Sequence, residues 1–174
     1  MDSSFAEAVN RQVAAEFYSS YLYLQMAAWF EERTLKGFAH WMRIQAREEA
    51  CHALILFNHL AARGAAIKLG AIAAPPGDYR SVTDVFEATL KHEQAVSESF
   101  RDLVDKALEI KDHAARVTLE WFVKEQIEEE ASASELLEKT KMLGEKPGSG
   151  LLTLDAALAG RIFTPPAPLA GGDA

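Results

Sequence analysis

The sequence predicts an all-α fold, a four-helix bundle with one long crossover connection and a short fifth helix near the C-terminus. Three observations lead there. Four long stretches lack both Gly and Pro, running from about Ser4 to Arg33, Phe38 to Arg63, Val82 to Lys111 and Ala114 to Leu143. Each is too long for a strand and long enough for a helix. The first and second, and the third and fourth, are joined by only a few residues, so each pair forms an antiparallel hairpin. The second and third are joined by about 17 residues, Ala65 to Ser81, including Ala74-Pro75-Pro76-Gly77. That linker can extend ~55 Å at ~3.3 Å per residue, more than the ~42 Å of a ~28-residue helix. It can therefore cross the whole bundle and make the second and third helices parallel.

The element ends carry local signals. Ser81-Val82-Thr83-Asp84 is a capped start for the third helix. Gly64 and Gly144 stand where the second and fourth helices stop. Leu151 to Leu158 is a short apolar segment that predicts the fifth helix. The domain is expected to span 1–163, and the Ala/Pro/Gly-rich segment 164–174 reads as a flexible tail or a segment lining a larger assembly.

Composition narrows the function. With 49% hydrophobic and 25% charged residues in 174, the chain fits one packed globular domain. A single Cys51 forbids an intrachain disulfide and any site built on several thiolates. The net charge of −8 argues against nucleic acid and in favour of cations as partners. Polar residues break every apolar run before 18 positions, so no membrane span is expected, and the protein reads as cytoplasmic.

Alternating steps of three and four trace one inward stripe per helix. The stripes are Val9, Val13, Glu16, Ser20, Tyr23, Ala27 and Phe30; Phe38, Met42, Gln45, Glu49, His52 and Leu56; Phe86, Leu90, Glu93, Ser97, Phe100 and Val104; and Leu119, Phe122, Gln126, Glu129, Ala133 and Leu136. All four are apolar at the ends and polar in the middle. In an in-register bundle the midpoints share a layer, so Glu16, Glu49, His52, Glu93, Gln126 and Glu129 converge in the core. Uncompensated buried carboxylates cost several kcal/mol each, against a net domain stability of ~5–15 kcal/mol.

Two divalent cations would balance the four carboxylates. Glu49 and His52, at i and i+3, lie on one helix face as joint ligands, a device of carboxylate-bridged di-iron bundles. An oxygen-rich set with one nitrogen favours iron or manganese over closed tetrahedral zinc. Tyr23 leaves two readings, a hydrogen bond to a ligand or a hydroxyl satisfied at the core edge. His40, His59, His92 and His113 fall off the polar layer and read as surface or packing residues. Glu48, Glu125, Glu128 and Glu130 read as a solvated acidic face, while Glu125 and Glu128 also suit an adjacent, weaker metal site.

Several segments resemble the non-haem ferritins of bacteria and archaea: Asn10-Arg11-Gln12, Glu16 to Tyr23, Arg47-Glu48-Glu49-Ala50-Cys51-His52-Ala53, Lys91-His92-Glu93, and Leu119 to Glu130. The resemblance covers about residues 4 to 163, and Phe163-Thr164-Pro165-Pro166 is similar to the tail of some archaeal members. It implies a ferritin-like bundle in which Glu16, Glu49 and His52 hold a first iron, Glu49 bridges, and Glu93 and Glu129 hold a second. Gln126 is implied to contact oxidant or water. Glu48, Glu125, Glu128 and Glu129 correspond to a third iron site. The family assembles hollow 24-subunit shells that oxidise Fe(II) with dioxygen or peroxide and store ferric mineral. A second E-x-x-H and a Met after the bridging Glu would mark a haem-binding bacterioferritin. Here Gln126 to Glu129 reads Q-x-x-E and Ala50 follows Glu49, so no haem is expected. The rival reading from the same residues is a di-iron or di-manganese oxygenase acting on an organic substrate.

Overall fold

The computed structural model describes residues 1–144 and 148–169, all helix and loop. Five α-helices follow in order: α1 Ser3–Glu32, α2 Lys36–Ala62, α3 Val82–Glu109, α4 His113–Leu143 and α5 Ser149–Leu158. A 3-10 turn, Ala167–Leu169, comes after them. The four expected long helices and the short fifth are present, each long helix within about two residues of its predicted bounds. No helix among the described residues is long and apolar enough to cross a membrane.

The helix ends follow the local chemistry. Ser81 accepts from the Asp84 backbone N–H at 3.0 Å to start α3, and Asp112 does the same from Ala115 at 3.0 Å to start α4. Gly64 and Gly144, at φ 62 and 70, turn the chain out of α2 and α4. The two tight hairpin turns instead place Thr34 and Lys111 in the left-handed region, at φ 62 and 58.

Topology is read from which residues share a core cluster. One cluster joins Phe5 to Val13, Ala53 to Leu60, Val96 to Ala107 and Ala115 to Phe122. The other joins Leu22 to Phe30, Phe38 to Met42, Val85 and Phe86, and Leu136 and Leu137. The start of α1 therefore lies beside the end of α2, the end of α3 and the start of α4. This makes α2 and α3 parallel, as the long linker requires. Ala65 and Ile67 pack on the first cluster and Tyr79 on the second, so the crossover does run the bundle's length. Asn10 pins its beginning, donating to the Ala66 carbonyl at 2.9 Å and accepting from the Lys68 N–H at 2.7 Å. Trp29 pins its end by donating to the Tyr79 carbonyl at 3.1 Å.

Each cluster carries a stacked phenylalanine pair, Phe100 with Phe122 at 4.5 Å and Phe30 with Phe38 at 5.1 Å between centroids. Burying each such side chain contributes about 1.5–3 kcal/mol. The stripes drift slightly from the expected ones. Ser20, Leu90 and Val104 are only half-buried, and their neighbours Ser19, Thr89 and Leu103 face inward. A period of 3.6 rather than 3.5 residues accumulates this offset along long helices.

The fifth helix docks on α2. The α2 N-terminus has no cap from its own turn, and Asp155 of α5 supplies one, accepting from the Phe38 N–H at 2.9 Å. Gly37 makes the approach possible, since a Cβ there would lie 1.6 Å from the Asp155 carbonyl oxygen. Beyond α5 the chain turns back along α2, and Leu169 reaches the first core cluster. Of the segment 164–174, residues 170–174 lie outside the described residues.

Candidate metal centre

Between the two apolar clusters lies a buried polar layer. α1 contributes Gln12, Glu16 and Tyr23, α2 contributes Gln45, Glu49 and His52, α3 contributes Glu93 and Ser97, and α4 contributes Gln126 and Glu129; all are buried. In-register helices of similar length bring their midpoints to one level, and the polar residues sit at those midpoints.

Glu16, Glu49 and His52 come together in one group, with one ligand atom from each lying within 4.8 Å of the others. His52 Nδ1 stands 3.4 Å from Glu49 Oε2 and 3.7 Å from Glu16 Oε2. Glu16 Oε2, both Glu49 carboxylate oxygens and both His52 ring nitrogens are buried and have no hydrogen-bond partner among the described residues. Such groups are rare in a folded protein, because each lost hydrogen bond to water costs about 1–3 kcal/mol, and more when charged. A divalent cation here would take Glu16 Oε2, the Glu49 carboxylate and one His52 ring nitrogen together, and two carboxylates with an imidazole are a donor set that suits iron or manganese. The residues fit the ion. The rings of Trp121 and Phe122, at 5.5 and 5.8 Å, hold the imidazole edge-on.

The remaining carboxylates have protein partners. Glu93 Oε1 accepts from the Tyr23 hydroxyl, and its Oε2 accepts from Gln126 at 3.1 Å. Gln126 also reaches the Glu93 carbonyl at 3.3 Å and Ser97 at 3.4 Å. Gln45 donates to Glu129 Oε2 at 2.6 Å, and Gln12 donates to Glu16 Oε1 at 2.6 Å. Glu129 joins His52 and Glu125 in a second close group. Glu93 falls in neither group.

The flanking acids divide. Glu125 is half-buried beside the centre, whereas Glu128 is exposed. Glu48 turns to Arg161, accepting from its guanidinium at 2.6 Å. His92 packs between the Tyr18 and Tyr23 rings and pairs with Ser19 at 2.8 Å. His40 and His59 are half-buried and His113 is exposed.

Electrostatics records the crowding. Burial raises the Glu49 carboxyl well above its ordinary value, against the opposing pull of His52. Burial also raises Glu93, opposed by Tyr23 and Gln126. Burial, with Glu93 nearby, pushes Glu129 up to about 7. Glu48 is likewise pushed to about 7 by burial, although Arg161 pulls it down. Desolvation lowers the His52 value, but Glu49 and Glu16 outweigh it and leave the imidazole well above its ordinary range. Burial and Glu93 hold Tyr23 protonated as a donor.

The sequence family model for the ferritin-like domain matches residues 6–143. The chain belongs to the ferritin family. This ferritin is 39% identical over 158 residues to a probable bacterial non-haem ferritin-like protein of Haemophilus influenzae, covering 91% of this chain and 95% of the relative. It is 39% identical over 154 residues to a bacterial non-haem ferritin of Bacteroides fragilis, covering 88% and 95%. The open-pore ferritin of Archaeoglobus fulgidus superposes with a TM-score of 0.91 at 42% identity, over 93% of this chain and 99% of that one. A closed form of the same archaeal ferritin, engineered by mutagenesis, superposes with a TM-score of 0.92 at 43% identity, over 94% and 99%.

Four contributors to this ferritin's polar layer escape the sequence reading as site residues: Gln45 and Ser97, which stand on the inward stripes without a role, and Gln12 and Arg161. Gln12 had a signal, since it lies one turn before Glu16 on the same face. Arg161 had only a faint one, being the sole basic residue after Lys146.

Proposed function

We propose that this ferritin is an iron-storage protein that oxidises Fe(II) at a paired site inside each subunit. Glu16, Glu49 and His52 hold the first iron and Glu93 and Glu129 the second. Gln126 meets the oxidant or a water at the pair, and Tyr23 holds Glu93. Glu49 bridges, and both of its oxygens are free of protein donors as a bridge requires. Glu125 and Glu128, with Glu48 once released from Arg161, form a third, outer position on the acidic face. Each Fe(II) gives up one electron, and the oxidant, dioxygen or peroxide, takes up the electron pair. No haem takes part.

The single observation that carries this reading is the set of five unpartnered buried atoms on Glu16, Glu49 and His52. Burial by apolar neighbours holds these donors in place before any cation arrives. The carboxylates neutralise the incoming charge, and the low dielectric strengthens every ligand contact.

Storage needs an enclosed volume, so we read the chain as one subunit of a homo-oligomeric shell, of 24 subunits as in its family. Exposed apolar groups support assembly. Tyr21, Leu24 and Ile72 line one groove with Phe17, and Met142, Leu152 and Ile162 are more than half exposed. The cytoplasm suits this work, because reducing conditions keep both Fe(II) and a free thiol such as Cys51 available.

The test is anaerobic loading with Fe(II) followed by oxygen. Fast oxidation of about two irons per subunit is expected, with mineral accumulating in a shell-sized particle. A Glu49→Ala, His52→Ala variant that oxidised iron as quickly as the wild type would refute the assignment. Steady turnover of an organic substrate without mineral would point to the oxygenase reading instead.

A further inference from the structure

Arg161 lies just after α5, outside the four-helix bundle, yet its guanidinium reaches the polar layer. One of its terminal nitrogens donates to Gln45 Oε1 and the other to Glu48 Oε2 at 2.6 Å. His40 donates to the Arg161 backbone carbonyl at 2.8 Å, and the guanidinium carbon lies 4.8 Å from the Trp41 ring centroid. The residue is thus held at its backbone, its cationic face and two of its donors. On the far side of the same amide, Gln45 Nε2 donates to Glu129 Oε2 at 2.6 Å. We propose that Arg161 is a positioning residue for the metal centre, acting through Gln45 to fix the orientation of Glu129.

The physical reason lies in the amide. A carboxamide presents an acceptor on one side and a donor on the other, and a half-turn exchanges them. A guanidinium has only donors, so its contact to Gln45 Oε1 commits the NH2 end to Glu129. Oε2 of Glu129 is then engaged by the protein, and Oε1 is the oxygen presented to a cation. An ammonium could not do the same work. Gln45 and Glu48 are i and i+3 on α2, and spanning both at once needs a planar fork. Groups that orient a ligand from outside its contact sphere change metal affinity by about 10–100-fold when removed.

This inference rests on the metal-centre reading above, and anaerobic Co(II) titration of the assembled, full-length protein separates the two. Co(II) reports occupancy by calorimetry and ligand geometry by its visible absorption. The wild type is expected to bind two Co(II) per subunit. Arg161→Ala is expected to weaken the second by about 10-fold or more and to alter its absorption, leaving the first unchanged. Gln45→Ala should give the same loss. The double variant should lose no more than either single, because both act along one path. Arg161→Lys should recover only part of the affinity. Should Arg161→Ala fail to assemble, Arg161→Lys and Gln45→Ala carry the same test. Unchanged Co(II) binding in these variants, losses that add in the double variant, or equal weakening of both ions would overturn the relay. A wild type that binds no Co(II) would overturn the metal-centre reading and the relay with it.

Discussion

One hydrogen-bond donor can decide what a buried carboxylate offers a metal. Gln12 engages one oxygen of Glu16 and Gln45 engages one oxygen of Glu129, so each acid has its other oxygen to present. Glu49 has neither oxygen engaged, the state a bridging ligand needs. Glu93 has both engaged, by Tyr23 and Gln126, so it must give up a donor or share an oxygen when a cation binds. Tyr23 is therefore the residue whose removal tells most at this scale. Tyr23→Phe keeps the ring and its edge-on contact with His92 at 6.0 Å while deleting the hydroxyl. We expect an intact fold and about 10-fold weaker binding of the second metal, measured by anaerobic Co(II) titration. Wild-type affinity in that variant would reduce Tyr23 to a core filler.

The elements are local in origin, but their docking is not. α5 buries no residue of its own, and only Leu151, Leu154 and Leu158 pack against the second cluster. Its attachment depends on the Asp155 cap over the α2 N-terminus, a carboxylate placed where the helix dipole is positive. Asp155→Ala should cost about 1 kcal/mol and speed hydrogen exchange of the α5 amides, leaving α1 to α4 protected. Uniform acceleration across all five helices would show that α5 is not a separately opening unit. Arg161 follows α5 directly, so loosening this helix also loosens the hold on Gln45.

At the scale of the molecule, the two helical hairpins must be held in register for the polar layer to form. Arg63 at the end of α2 grips Asp112 at the α3–α4 turn through two bonds of 3.0 Å. The Arg63 bonds and the Ala115 N–H hold the Asp112 carboxyl below its ordinary value of 3.8. Because the folded value is the lower one, this stabilisation is complete above the unfolded value and disappears as pH falls through the folded one. Asp112→Asn should therefore melt below the wild type at neutral pH, with the gap closing only below about 3.8. The comparison is thermal melts of the two proteins across pH 2 to 7. A gap that persisted at the acid end would mean the carboxylate charge is not what matters.

Much of this architecture is local information. Gly- and Pro-free stretches, Ser81, Gly64 and Gly144 mark the helices, and linker lengths leave one economical topology. The polar layer was legible for a related reason, since helical period alone carries Glu16, Glu49, His52, Glu93, Gln126 and Glu129 to the same faces at mid-helix. What periodicity cannot assign is the partner each polar atom selects. Glu48 went to Arg161 across 113 positions of sequence, Glu93 to Tyr23 across 70, and the Phe38 N–H to Asp155 across 117. Those pairings depend on where separate segments meet to within about an ångström, because a hydrogen bond weakens steeply outside a narrow range of distance and angle. The sequence by itself determined the bundle and its buried acidic layer, and the tertiary structure alone decided which oxygens of that layer are left for a metal.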